Sequence, residues 1–82
     1  MTKKEAEKLI NQYEQGGSFD STLLKAIRCA DEKNLFELSK AFPCLVDAHL
    51  ILIQNMRLHD WLIDVCAGKY GDYANKYNSF SN

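Results

Sequence analysis

The sequence predicts an all-α fold, a compact bundle of four to five short helices. Three observations carry that expectation. Apolar residues recur at spacings of three and four through most of the chain, the period of a helix with one buried face. The segments so defined are punctuated by cap residues, a Gly-Gly pair and a single proline. The one stretch that could form a buried strand, residues 49–54, has no partner strand elsewhere. Eighty-two residues make one domain (residues 1–82) the natural unit, with the last few expected to fray.

The first segment is TKKEAEKLINQYEQGG. Thr2 followed three positions later by Glu5 has the spacing of a capping box, in which each side chain satisfies a backbone N–H of the other. Ala6, Leu9, Ile10 and Tyr13 then fall on one helical face. Gly16-Gly17 ends the segment, since glycine readily adopts the left-handed backbone of a helix stop. In the second segment, SFDSTLLKAIRCA, Ser18 or Asp20 can cap the start. Phe19, Leu23, Ile27 and Ala30 form a stripe widened by Leu24, and Phe19 is placed to pack on Leu23 or Leu24 as a staple.

The third segment, DEKNLFELSKAF, opens with Asp31 as a cap and keeps Leu35, Leu38 and Phe42 in register. A break near residues 31–34 is expected, because Asp and Asn compete there for the backbone. One continuous helix over residues 20–41 is the alternative. Proline disfavours helix in the residue before it and is pre-organised for the first helical turn. Pro43 therefore reads as the start of a fourth helix carrying Leu45, Val46, His49, Leu50 and Ile53. Asp47 suits the positive end of its dipole. Residues 55–59 form a junction, and His59 or Asp60 opens a fifth segment whose apolar side is Trp61, Leu62, Val65 and Cys66. Tyr70, Tyr73, Tyr77 and Phe80 follow at helical spacing.

The block ADEKNLFELSKAFPCLVDA, residues 30–48, resembles a pattern of uncharacterised small α-helical proteins of bacterial prophages and mobile elements, of Bacteroidales type. Asp31, Asn34, Leu35, Leu38, Ala41, Phe42, Pro43, Leu45, Val46 and Ala48 carry the likeness, and Trp61 is the counterpart of an aromatic in their C-terminal helix. Cys44 and His49 depart from it, standing where exposed polar residues are expected. The matching residues are structural. The resemblance implies a small helical protein of phage-like origin, with no established activity.

Composition narrows the function classes. Ten basic against eleven acidic residues leave a net charge of −1, which is poor material for a protein that must displace counterions from DNA. Nucleic acid is thus an unfavoured partner, although Lys69 and Lys76 among the C-terminal tyrosines could serve single-strand stacking. Three widely spaced cysteines, Cys29, Cys44 and Cys66, do not form a disulfide framework and read as reduced core residues. The charged residues at positions 5, 7 and 8 do not suit a secretory leader, and the longest apolar run, residues 50–53, is far too short for a membrane span. A cytoplasmic protein of the bacterial host cell is expected.

No metal or cofactor pattern is present. Cys29, Cys44, Cys66, His49 and His59 lack the close pairing of zinc ligands. Asp60 and Asp64 share a helix face without the Glu-x-x-His partners of a di-metal bundle. Cys44 with His49 or His59 could in principle make a nucleophile and base, but a core thiol is the simpler reading, and no enzyme is expected.

Two features point to binding. Tyrosine and tryptophan are favoured at interfaces, which nominates Trp61, Tyr70, Tyr73 and Tyr77, with Arg57 as a charged anchor, as a partner-binding surface. Leu50, Ile51, Leu52 and Ile53 point all round a helix and must be covered on nearly every side. That nominates them as an oligomer interface, or else makes their helix central. The favoured expectation is a non-enzymatic homo-oligomer that binds a host or defence protein and can serve as its inhibitor. One alternative is capture of a nucleotide messenger, with aromatic rings stacking the base and Arg28, Lys40 or Arg57 meeting phosphate. The other is a nucleic-acid-associated accessory role.

Overall fold

The computed structural model describes residues 1–66. Its elements are α1 (Lys3–Glu14), α2 (Ser18–Cys29), α3 (Glu32–Ala41), α4 (Pro43–Gln54) and α5 (Leu58–Cys66), with no strand among the described residues. The all-α bundle of short helices is therefore the fold. No helix among the described residues is long and apolar enough to cross a membrane.

Local signals explain most of the boundaries. The capping box at α1 is complete: Glu5 N donates to Thr2 Oγ1 at 3.1 Å, and Thr2 N donates to Glu5 Oε1 at 2.8 Å. The Thr2 backbone N–H donated to it, and after that the Thr2 hydroxyl, hold the Glu5 carboxyl below the usual carboxylate range. Gly17, at φ +101°, makes the turn into α2 and occupies its cap position. Neither Ser18 nor Asp20 caps α2, because Ser18 is already its first helical residue. Phe19 consequently lies inside the first turn rather than ahead of it, and is 69% exposed instead of stapling the helix.

The break between α2 and α3 falls at residues 30–31, and Asp31 caps α3 by accepting from Asn34 N at 2.8 Å. Pro43 is the first residue of α4, as the proline rules require. At the far end Asn55 takes the left-handed conformation (φ 52°, ψ 40°), and Met56 N donates back to Leu50 O at 3.4 Å.

Helix α4 is the centre of the bundle and packs against each of the other four. Leu45, Val46, Ala48, Leu50 and Ile51 are all buried along it. Around them lie Ala6 and Ile10 of α1, Leu23, Leu24 and Ile27 of α2, Leu35 and Phe36 of α3, and Trp61 and Val65 of α5. Ser39, also buried, returns its hydroxyl to Phe36 O at 2.7 Å, so its polarity is satisfied within its own helix.

Two of the expected oligomer-interface residues are thereby corrected. Leu50 and Ile51 are covered by the chain's own helices, because α4 is central. Leu52 is half-buried, and Ile53, in the last turn where α4 leaves the bundle, is 68% exposed.

Candidate functional site

Two of the three cysteines do not sit in the core, and the burial of the Cys66 side chain lies outside what the structure describes. Cys29 and Cys44 are both exposed free thiols. Each stands two residues from a buried neighbour, Ile27 and Val46, and two residues rotate about 200° around a helix. Cys44 shares a shallow groove of ≈ 250 Å³ with His59, Asp47 and Arg57. His49 is not there but lines a cleft elsewhere. Among the described residues no three His, Cys, Asp or Glu side chains come together to hold a metal ion.

Asp47 has a task the local sequence does not disclose. Its Oδ1 accepts from Leu58 N at 2.7 Å and lies 3.5 Å from Arg57 Nε. A carboxylate on α4 thus caps α5, eleven residues further along, where the chain offers no Ser, Thr or Asn of its own at the start. Arg57 remains largely exposed beside it.

Trp61 is corrected as a contact residue. It is only 1% exposed and faces the core together with Val65, one turn further along α5. Ile63 is about 200° round the helix from it and is 55% exposed. Tyr70, Tyr73 and Tyr77 lie outside the described residues. Of the partner-binding residues nominated from sequence, Arg57 is the one the described structure leaves at the surface.

The basic residues nominated for a phosphate do not converge. Lys40 lies 4.9 Å above the Phe36 ring and 3.6 Å from Glu37 Oε1. Arg57 is held near Asp47. Arg28, in the last turn of α2, donates from Nη2 to Glu14 Oε1 of α1 at 2.6 Å.

Sequence reasoning missed a cleft that has a volume of ≈ 440 Å³ and opens between the end of α2, the start of α3, α4 and α5. That is within the range of small-molecule sites. Leu35 and Trp61 form its apolar floor and Ile53 a wall, while Arg28, Glu32, His49 and Gln54 supply polar groups. The four polar residues come from three helices and share no sequence motif, so no spacing signal could have assembled them.

Within this cleft His49 has its pKa lowered, first by burial and then by the positive charge of Arg28. A histidine depressed in the folded state binds fewer protons there than in the unfolded chain. Its contribution is fully present above the ordinary value near 6.5 and is lost as pH falls through and below it. Unfolding free energy should therefore decline from pH 7.5 to pH 5.5 in the wild type, and less steeply in His49→Gln. Parallel urea titrations of the two proteins check this. Identical slopes would show that His49 is not held neutral by its surroundings.

No family model, no curated protein and no solved structure matches this chain. Function rests on the site itself.

Proposed function

We propose that this chain is a small non-enzymatic binding protein, and that the exposed apolar edge at the end of α4 and along α5 is its contact face. The observation that carries the reading is the exposure of Ile53 and Ile63 on two helices that pack against each other. Single exposed aliphatic residues are ordinary. Two on adjoining helices, with Arg57 in the turn between them, supply the residue types an interface uses, apolar groups and a charged anchor. The target is a host or defence protein, an expectation resting on the resemblance of residues 30–48 to prophage proteins. The same patch is the candidate for self-association, since Ile53 is the member of the apolar run the bundle leaves uncovered.

Nucleotide capture is the weaker reading, because Arg28, Lys40 and Arg57 engage separate partners. A nucleic-acid role is weaker still at a net charge of −1.

The double variant Ile53→Glu, Ile63→Glu tests the patch. Both sites are exposed, so helicity should be unchanged. Affinity purification from bacterial extract should recover a specific protein with the wild type and lose it with the variant. Sedimentation should show a concentration-dependent oligomer that the variant abolishes. Equal recovery and equal sedimentation of the two proteins would sink the proposed face.

A further inference from the structure

We propose that the cleft between α2, α3, α4 and α5 binds a small zwitterion with an apolar body, of which an α-amino acid with a branched or aromatic side chain is the simplest member. The charges set the class. Arg28 and Glu32 line the same cleft, yet they form no ion pair with each other. Glu32 has no ion pair among the described residues. Arg28 spends Nη2 on Glu14, a bond that orients the guanidinium. Its Nε and Nη1 hydrogens have no acceptor among the described residues. A cation and an anion that line one cleft from the adjoining ends of α2 and α3, and do not pair with each other, present complementary charges to a molecule carrying both.

The remaining lining fits the same ligand. Leu35 and Trp61 give an apolar floor, and Ile53 adds a wall that is itself uncovered in the free chain. An apolar body laid there removes Ile53 from water, which favours binding in proportion to the area covered. Gln54 and His49 add neutral hydrogen-bonding groups. A polyphosphate does not fit, because the cleft offers one guanidinium, already shared with Glu14, and carries Glu32. A bare monoanion would leave Glu32 without a counter-charge.

Trp61 is the only tryptophan and forms part of the floor, so its emission reports entry of a ligand. The test titrates the full chain with leucine and phenylalanine. It also uses their deaminated acids, 4-methylvalerate and 3-phenylpropionate, and their decarboxylated amines. A saturable change in Trp61 emission is expected with an amino acid, at least tenfold weaker with either single-charge analogue. Arg28→Gln and Glu32→Gln should each weaken binding of the amino acid by a similar factor. Both residues are exposed, and circular dichroism verifies that the variants fold. Saturation by neither amino acid overturns the proposal. So does equal affinity for a single-charge analogue, or binding indifferent to Glu32→Gln.

Discussion

Replacing Trp61 by alanine is expected to cost about 3–5 kcal/mol, the usual range for deleting a buried large aromatic. An 82-residue domain has only about 4–12 kcal/mol of stability at typical values per residue. The substitution should thus leave a substantial unfolded population at 37 °C. Trp61 is the largest fully buried side chain, and it joins the short helix α5 to the central α4. Its removal opens a cavity that the bundle can close only by moving α5. Circular dichroism under urea should show a midpoint shifted far down. If the midpoint moves by no more than that of a surface variant, Trp61 does not anchor α5. A conservative control, Trp61→Phe, retains most of the buried area and should lose markedly less.

Trp61 also shows where sequence reading reaches its end. Its aromatic character fits a core and an interface equally well, and only the placement of α5 against α4 decides. The helix boundaries were legible because their signals are local: Thr2 with Glu5, Gly16-Gly17, Asp31 and Pro43 each act within four residues of themselves. Phe19 was misplaced because a staple ahead of the helix needs the cap at Asp20, three residues beyond the observed cap at Gly17, which makes Phe19 an exposed first-turn residue. The exposure of Cys29 and Cys44 was recoverable from the rotation that separates them from Ile27 and Val46; the bias of cysteine toward burial outweighed it.

The run from Leu50 to Ile53 was read as needing cover from outside the chain or a central position. Its position in α4 supplies that cover to Leu50 and Ile51 from within. What stays uncovered is set by where the helix ends, a property of the fold rather than of the run. The cleft is the extreme case. Arg28, Glu32, His49 and Gln54 are dispersed over 27 positions and have no common period; they become neighbours only when α2, α3 and α4 pack.

Asp47→Ala is expected to destabilise the protein by about 1.5–3 kcal/mol, the range for a hydrogen bond to a charged group whose loss leaves a partly buried N–H unpaired. The Asp47 side chain is only 13% exposed, so water is poorly placed to replace it at Leu58 N. The negative charge also faces the positive end of the α5 dipole, a further favourable term. Asp47→Asn separates the two contributions. The amide oxygen can still accept from Leu58 N, so this variant should fall between wild type and alanine. Arg57→Ala should cost no more than about 1 kcal/mol, because its long contact to Asp47 is largely exposed. The loss in Asp47→Ala should be regional. Amide exchange should accelerate in α5 well before α1, and Trp61 emission should shift to the red as the helix detaches. Uniform acceleration across all helices, or an unchanged Asp47→Ala midpoint, would mean that α5 is held by its apolar face alone.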